Sequence, residues 1–260
     1  MKNKLKQILA SKRPAIGTWV AIPDVYAVEM IAGLGFDWLL VDMEHIPISK
    51  ESLRAILMAV KGSDSVPIVR VASSTVENFQ SALDLGAQGV MAPMINTVQD
   101  AEKAVNYCRY PPLGRRGFGP VRASRYMRHA DEYRNEANEE TLLFAQIETP
   151  EAVENASAIL RTPGIDGVYI GNADLANFMN HDAKAGSANV QQAVDDLIKM
   201  ATTASIPIGL PTWSAAEFSR YVKLGANLLT IGSDLSFLAT QAETELKGLR
   251  RALSGSPAKS

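Results

Sequence analysis

The chain has 260 residues, of which 47% are hydrophobic, and its formal net charge is −2. That length and hydrophobic fraction are enough to bury one barrel-sized domain or two small ones. The near-neutral charge, with acidic and basic residues interspersed, excludes the basic surface of a nucleic-acid-binding protein.

The sequence predicts a cytoplasmic protein that does not bind a membrane. Cys108 is its only cysteine, which excludes an internal disulfide framework and fits a reducing compartment. No apolar run reaches the roughly 20 residues of a membrane span. The basic residues near the N-terminus are not followed by the apolar core of a signal peptide.

Short apolar runs alternate with amphipathic stretches along the chain, as expected of strands followed by helices. The apolar residues of segments 49–61 and 97–109 recur at helical spacing, and Thr97 can cap the second segment. Strands that alternate with helices pair in parallel, and eight such units in about 250 residues are typical of a (β/α)₈ TIM barrel. We therefore expect a single α/β domain over residues 1–260, with strands at residues 16–21, 38–43, 67–71, 89–93, 142–148, 167–171, 207–210 and 228–232.

An open, doubly wound sheet is the alternative fold. It would carry a glycine-rich phosphate turn after its first strand, and Gly17-Thr18-Trp19 is no such turn. Two segments depart from the repeat. Residues 110–141 form a long loop rich in Arg, Gly and Pro before the fifth strand, and we expect it to cover the site or to reach a neighbouring subunit. The tail after Ser236 has an apolar stripe that can pack on its own barrel or on a partner, and residues 255–260 are expected to fray.

The fifth strand places polar side chains at its carboxyl end. Phe144, Gln146 and Glu148 share one face, and Pro150 opens the next helix, so Glu148 stands where the strand gives way to a βα turn. In parallel α/β proteins this edge is where chemistry is usually done. The next strand ends in the same way, with Asp174. The alternative is that Glu148 only caps the following helix.

Two unpaired carboxylates at close range repel each other, and a divalent cation relieves that repulsion. Glu148 and Asp174, on adjacent strands, therefore form a candidate site for Mg²⁺ or Mn²⁺, completed by water and substrate. The alternative is a salt bridge to a neighbouring Arg. Gly171-Asn172-Ala173 opens a helix beside Asp174, and its unpaired N–H groups suit a substrate carboxylate.

Two further candidates come from the second and third strands. Arg70 ends its strand and needs an anionic partner, which is a substrate oxygen or, alternatively, a structural pair with Asp42 or Glu44. His45 follows Asp42 by three residues, and an Asp that orients an imidazole makes it a usable general base. His129 and His181 are expected at the surface.

The barrel mouth collects the side chains at the ends of the predicted strands. Trp19 and Leu210 are expected to line this mouth and to help select the substrate, together with Pro211. No lysine falls at a strand end, so Schiff-base chemistry is not expected. The full set of strand-end residues is Trp19, Asp42, Glu44, His45, Arg70, Met94, Gln146, Glu148, Asp174, Thr212, Ser233 and Asp234.

Five runs stand in order along nearly the whole chain: residues 38–45, 86–94, 110–117, 146–149 and 170–175. These runs resemble the HpcH/HpaI aldolase family, the metal-dependent class II pyruvate aldolases. The resemblance implies a (β/α)₈ barrel in a homo-oligomer, usually a hexamer built as a trimer of dimers that exchange their C-terminal helix. It implies Mg²⁺, Mn²⁺ or Co²⁺ on Glu148 and Asp174, with Arg70, a His45–Asp42 dyad and Gln146 beside the metal. The chain has Asn172 where family members commonly have Pro.

The function expected from this resemblance is a carbon–carbon lyase that cleaves a 4-hydroxy-2-oxo acid to pyruvate and an aldehyde through a metal-stabilised enolate. Arg70 would stand beside the keto oxygen, and His45 would move the proton of the aldol hydroxyl. Alternatives are a citrate-forming condensing enzyme, using oxaloacetate and acetyl-CoA for siderophore assembly, or an oxaloacetate decarboxylase. A barrel that only binds a 2-oxo acid, and a phosphate-binding enzyme using Gly232-Ser233-Asp234, are less favoured.

Overall fold

The computed structural model describes residues 2–179 and 186–254. Within these residues one parallel sheet has the strand order β7-β6-β5-β4-β3-β2-β1-β9-β8. Its strands are β1 (Ala15–Val20), β2 (Trp38–Asp42), β3 (Val66–Arg70), β4 (Gly89–Ala92), β5 (Leu142–Ile147), β6 (Gly167–Ile170), β7 (Ile208–Gly209), β8 (Pro211–Thr212) and β9 (Leu228–Ser233).

The sheet closes on itself through an interrupted strand. The predicted seventh strand is divided at Leu210 into β7, which pairs with β6, and β8, which pairs with β9. The Asn227 N–H donates to the Ile208 carbonyl at 2.9 Å, so β7 also reaches the segment that leads into β9. The barrel prediction is therefore confirmed, with the seventh strand in two pieces.

Helices follow the strands as the sequence predicts. Thr97 forms a capping box with Asp100, and the Thr149 hydroxyl accepts the Ala152 N–H at 3.1 Å with Pro150 in the first turn. Among the described residues the helices are α1 (Lys4–Ala10), α2 (Val25–Ala32), α3 (Lys50–Ala59), α4 (Val76–Asp84), α5 (Val98–Cys108), α6 (Ala130–Glu140), α7 (Pro150–Ile159), α8 (Asn172–Met179), α9 (Ala188–Thr203), α10 (Ala215–Leu224) and α11 (Asp234–Leu253), with a short 3₁₀ turn at Val60–Gly62.

Alternating side chains of the strands build two separate apolar layers. Leu143, Ala145 and Ile147 of β5 pack outward into the cluster shared with the helices. Phe144 packs inward with Trp38 and other residues of the barrel interior. This alternation is the strand period of two, and it leaves Gln146 on the inward face at the carboxyl end of β5.

The other end of the barrel is closed by α1. Leu5 is fully buried and Leu9 is nearly so, and both join the interior cluster with Leu142. A cavity of about 600 Å³ opens at this end, with Lys6 and Asn227 among its lining residues. It contains none of the predicted site residues, because these stand at the carboxyl ends of the strands.

The segment 110–141 differs from the predicted loop. Its second half is the helix α6, which buries only Tyr133 and Ala137, one turn apart. Its first half is tied to the carboxyl end of α4, where Arg116 donates to Asp84 at 2.7 Å and Arg122 donates to the Leu85 carbonyl. A helix that follows a strand in a barrel ends opposite the mouth, so these arginines do not cover the site of their own chain. Contact with a neighbouring subunit stays a prediction.

The last helix, α11, barely contacts the barrel. Asp234 is its one buried residue, and the helix runs 20 residues with Leu238 and Leu249 more than 60% exposed. Its exchange between subunits stays a prediction. No described helix is both long enough and apolar enough to cross a membrane. His181 and the tail 255–260 lie outside the described residues.

Candidate active site

A cluster of buried polar side chains lies at the carboxyl ends of β2, β3 and β5. Asp42 and Arg70 are 5% exposed, Glu148 is 2% exposed and Gln146 is 1% exposed. Burying charged groups is costly unless they are paired, so each must have a partner or a function. The cluster stands where the sequence predicts the site.

Arg70 is held between two carboxylates and an indole. Asp42 and Arg70 are opposite each other in the β2–β3 register. The Arg70 Nε donates to Asp42 Oδ1 at 3.0 Å and its Nη2 donates to Asp42 Oδ2 at 2.8 Å, while Nη1 lies 3.1 Å from Glu44 Oε2. The Arg70 Cζ stacks 4.4 Å from the Trp19 ring centroid. The structural pairing that stood as the alternative for Arg70 is therefore present.

Trp19 is itself fixed by a hydrogen bond to the neighbouring strand β9 and by a ring contact with β6. Its Nε1 donates to the Thr230 hydroxyl at 2.9 Å, and Tyr169 hydrogen-bonds the same oxygen at 2.7 Å. The rings of Trp19 and Tyr169 meet edge to face, with centroids 6.1 Å apart. Trp19 therefore forms a rigid floor under the Arg70 guanidinium.

Asp42 does not contact the His45 imidazole as the predicted dyad requires. Its Oδ1 accepts the main-chain N–H groups of Glu44 at 3.0 Å and His45 at 3.3 Å, besides the Arg70 contact. The His45 side chain is 57% exposed, and its Nε2 lies 3.9 Å from Glu44 Oε2. Asp42 thus shapes the turn and clamps Arg70, and the imidazole stands next to Glu44 instead.

At the sequence level Glu44 is only an alternative partner of Arg70, and the structure shows that it belongs to the buried cluster. Burial raises the pKa of its carboxyl to about 7; Glu148 and Asp42 act in the same direction, whereas Arg70 and His45 oppose them. The interaction with Glu148 places Glu44 inside the same cluster. The sequence does not reveal the burial of Glu44, because a residue two positions after the end of a strand is usually exposed to solvent.

Glu148 is oriented by its neighbours. Its Oε1 accepts the Met94 N–H at 2.8 Å, and its Oε2 accepts the Gln146 side-chain N–H. Burial raises the pKa of Glu148, and the charge of Asp174 raises it further. The two hydrogen bonds and the charge of Arg70 lower this pKa, but the rise is larger. The residue that caps α7 is Thr149. The alternative in which Glu148 only caps the following helix is therefore wrong.

Gly171 makes room for this carboxylate. A Cβ on Gly171 would lie 2.6 Å from Glu148 Oε2 and 2.9 Å from Gln146 Nε2, so these side chains would have to shift to admit it. The Gly171 N–H donates to the Ile147 carbonyl at 3.0 Å, so it is not free to bind a substrate as predicted. The N–H groups of Asn172 and Ala173 belong to the first turn of α8, where N–H groups have no partner within the helix.

The donor set fits a divalent cation that prefers oxygen. Glu148 is buried and feels the like charge of the half-buried Asp174. The described residues contain no cluster of three or more acidic, His or Cys side chains that could hold a metal. Two protein carboxylates, with water and substrate for the other positions, suit Mg²⁺ or Mn²⁺ rather than zinc. Gln146 Oε1 is buried without a hydrogen-bond partner in the part of the chain described, so it can accept from such a water.

The side chain that the seventh strand directs toward the mouth differs from the predicted one. Leu210 is fully buried and packs outward with the helix layer, so it does not line the mouth. The reason is alternation: Leu210 shares the outward face of Ile208, whereas Gly209 and Pro211 take the other face. Pro211, named beside Leu210 at the sequence level, is the better candidate for the mouth.

The proposed phosphate site at the start of α11 is already filled by the protein. Ser233 and Ser236 cap each other's main-chain N–H groups in a capping box. The Asp234 carboxylate accepts the N–H groups of Ala21 at 2.9 Å and Ile22 at 3.0 Å. These contacts tie the β1 loop to α11 and leave an acidic group where a phosphate would bind.

Comparisons with known proteins show the family and the fold of this chain. Residues 15–240 match the family model described as HpcH/HpaI aldolase/citrate lyase. A curated protein of Salmonella arizonae, named 4-hydroxy-2-oxo-heptane-1,7-dioate aldolase, is 39% identical over 245 residues, which are 94% of this chain and 93% of that protein.

Two solved structures extend the comparison. The crystal structure of an HpcH/HpaI aldolase/citrate lyase family protein from Burkholderia cenocepacia J2315 has a TM-score of 0.92 and 31% identity, covering 96% of this chain and 100% of that one. The citrate synthase SbnG has a TM-score of 0.88 and 24% identity, covering 96% of this chain and 99% of that one. At that identity the second likeness concerns the fold alone.

Proposed function

Since this chain belongs to the HpcH/HpaI aldolase/citrate lyase family and is an aldolase-type carbon–carbon lyase, we propose that it cleaves a 4-hydroxy-2-oxo acid to pyruvate and an aldehyde with a divalent cation. The curated relatives named 4-hydroxy-2-oxo-heptane-1,7-dioate aldolase support this substrate class. The observation that carries the proposal is Glu148, a buried carboxylate oriented by Met94 and Gln146 and raised in pKa by Asp174.

In this proposal Glu148 and Asp174 hold Mg²⁺ or Mn²⁺, with Co²⁺ as a further possibility. The cation supplies Lewis acidity toward the carboxylate and keto oxygens of a 2-oxo acid. Gln146 orients Glu148 through its amide N–H and offers its free Oε1 to a bound water. Glycine at position 171 keeps the approach to these carboxylates open.

Arg70 supplies fixed positive charge in the same mouth. Because Asp42 and Glu44 hold all three of its nitrogens and Trp19 supports its plane, the guanidinium cannot turn away from the substrate. A preorganised cation stabilises negative charge as it grows on the keto oxygen, without reorganising in the reaction. The N–H groups of Asn172 and Ala173 face the same mouth from the start of α8 and suit the substrate carboxylate.

His45 is the proposed proton acceptor. It is the one histidine placed at the mouth among residues 2–179 and 186–254, and its exposure leaves it free to reach the aldol hydroxyl. It removes the hydroxyl proton at C4, the C3–C4 bond breaks, and the electron pair remains on C3 while C4 becomes an aldehyde. C3 then takes up one proton, which completes the methyl group of pyruvate and balances the reaction.

The test uses protein freed of metal by a chelator. We expect no pyruvate from a 4-hydroxy-2-oxo acid until Mg²⁺ or Mn²⁺ is restored, with pyruvate followed by a lactate dehydrogenase assay. Glu148→Gln and Asp174→Asn should each lose at least about 100-fold in kcat, since a metal Lewis acid contributes several kcal/mol. Both should also weaken Mn²⁺ binding in calorimetry.

Glu132→Gln is a matched control, because Glu132 is exposed on α6 far from the mouth. It should leave metal binding and turnover unchanged. Full activity in excess chelator, or Mn²⁺ binding by Asp174→Asn at wild-type affinity, would overturn the metal site. Citrate formed from oxaloacetate and acetyl-CoA, with no cleavage of any hydroxy-oxo acid, would replace the cleavage reaction by a condensation.

We also propose a cytoplasmic homo-oligomer, a hexamer built as a trimer of dimers that exchange α11. The exposed leucines of α11 support this, because a 20-residue helix with a single buried residue gains little from its own barrel. Light scattering after size exclusion should give the mass of six chains, and a monomer that retains full activity would contradict it.

A further inference from the structure

The backbone of Met94, two residues after the end of β4, is left-handed, with a φ of 56°. Residues other than glycine adopt this conformation uncommonly, because the Cβ crowds the main chain. Lys12 and Ser205 also adopt it, but each follows the end of a helix, where a left-handed residue is common. Met94 follows a strand, so its conformation needs another explanation.

Contacts on both sides of Met94 hold it in this conformation. The Ser74 hydroxyl donates to the Pro93 carbonyl at 3.0 Å, and the Ile95 N–H donates to the Gln146 carbonyl at 3.3 Å. Ile95 is fully buried, whereas the Met94 side chain is 42% exposed. The flanking peptides therefore fix position 94, and the packing of its own side chain contributes little.

The left-handed conformation directs two successive N–H groups to the same side of β4. In extended backbone, neighbouring N–H groups point to opposite sides of the strand. Here the Met94 N–H donates to Glu148 Oε1 at 2.8 Å, and the Ile95 N–H donates to Gln146, so both reach the side of β5. Because β4 lies between β3 and β5, an extended residue 94 would turn one of these groups toward β3.

We infer that Met94 is a positioning residue for Glu148, and that its left-handed backbone serves to aim its N–H at the Glu148 carboxylate; this deepens the proposed function and rests on it. The Gln146 amide holds the other oxygen of the same carboxylate. A carboxylate fixed through both oxygens presents its remaining lone pairs to one place. Hydrogen-bond partners of metal ligands typically change metal affinity by about 10-fold to 100-fold.

Two substitutions at position 94 separate the backbone from the side chain. Met94→Gly removes the side chain but adopts the left-handed conformation readily, so Mn²⁺ affinity in calorimetry should stay within about 3-fold of the wild type. Met94→Val keeps an apolar side chain, but a β-branched residue resists a positive φ, so the affinity should fall by at least about 10-fold. Wild-type affinity in Met94→Val, or an equal loss in Met94→Gly, would overturn the inference.

Ser205 provides the matched control. It is exposed, its φ is 57°, and it lines the cavity at the opposite end of the barrel. Ser205→Val imposes the same backbone conflict there, so it should lower the melting temperature as Met94→Val does and leave Mn²⁺ affinity unchanged. If both Val variants lost Mn²⁺ affinity equally, the cause would be general destabilisation, and the positioning role of Met94 would be refuted.

A second measurement needs neither metal nor activity. The chain has nine methionines, so protein labelled with ¹⁵N-methionine gives at most nine amide signals, and Met94→Gly identifies the signal of Met94. Hydrogen-bonded amide protons resonate downfield, so in EDTA Glu148→Ala should move the Met94 signal upfield. The signal of Met200, inside α9, should stay in place.

The two measurements separate this inference from the function on which it rests. A wild-type protein that binds no Mn²⁺ and cleaves no hydroxy-oxo acid would refute the proposed function. The spectrum in EDTA would still decide whether Met94 holds Glu148. A Met94 signal that is the same in Glu148→Ala and in the wild type overturns the positioning, whatever the activity.

Discussion

Replacing Glu44 by Gln should stabilise the metal-free protein above neutral pH. Burial raises the pKa of this carboxyl from 4.5 to about 7, so the folded protein prefers it protonated. Between pH 4.5 and 7 the folded state therefore binds more protons than the unfolded state, and stability falls as the pH rises through this window. The contribution is intact below about pH 4.5 and lost above about pH 7.

The size of the effect follows from the same shift. At about 1.4 kcal/mol for each pH unit, a rise from 4.5 to about 7 costs about 3 kcal/mol at pH 8. The attraction to Arg70 is already included in that shift, because it opposes the burial. Gln has nearly the shape of the protonated acid and carries no charge, so it avoids this cost. For a chain of this length about 3 kcal/mol corresponds to roughly 6–12 °C in melting temperature.

Urea unfolding in EDTA, repeated between pH 5 and pH 8, measures the difference. The midpoint of Glu44→Gln should rise above that of the wild type as the pH increases. The control is Glu132→Gln, the same chemical change at an exposed site where a hydrogen bond from His129 lowers the pKa, so its sign is opposite. A Glu44→Gln protein that is less stable than the wild type at pH 8, or a gap that does not change with pH, would refute the reasoning.

Two other substitutions examine the walls of the site. Gly171→Ala should displace Glu148, because the new Cβ would lie 2.6 Å from its Oε2. We therefore expect Mn²⁺ affinity in calorimetry to fall by at least about 10-fold, as with other changes around a metal ligand. Unchanged affinity would show that the carboxylate shifts freely. Leu210→Ala should cost about 2–5 kcal/mol in urea unfolding because the side chain is fully buried, while KM stays near the wild-type value; a large rise in KM with little loss of stability would return Leu210 to the mouth.

The features of the fold that depend only on period and topology could be predicted from the sequence. Strand alternation is sufficient to place Gln146 on the inward face of β5, and parallel pairing brings Glu148 and Asp174 to the same edge. Both inferences need no side-chain detail, since the carboxyl ends of parallel strands meet at one end of any barrel. The same rule could have placed the segment 110–141, because a connection from a helix to the next strand lies at the amino end.

The partners of individual side chains could not be predicted in this way. The spacing of Asp42 and His45 suggests a dyad, but the β2–β3 register sets Asp42 opposite Arg70, and a bidentate guanidinium is the stronger competitor for its oxygens. The prediction for Leu210 is wrong because alternation fixes only that Leu210 and Pro211 take opposite faces. Which of the two faces inward is set by packing against the helix layer, where Leu210 lies with Ile208.

The mouth divides into two halves with different electrostatics, and this division indicates where a cation belongs. In one half Arg70 is paired with Asp42 by two hydrogen bonds and with Glu44 by an ion pair, so positive charge is already supplied. In the other half Glu148 is nearly fully buried next to Asp174, and its partners are neutral N–H groups, with Arg70 only a weak influence. A carboxylate that is nearly fully buried beside a second, half-buried carboxylate is costly to keep ionised unless something relieves the repulsion. A divalent cation at Glu148 and Asp174 relieves it, whereas one at Asp42 would have to displace a guanidinium.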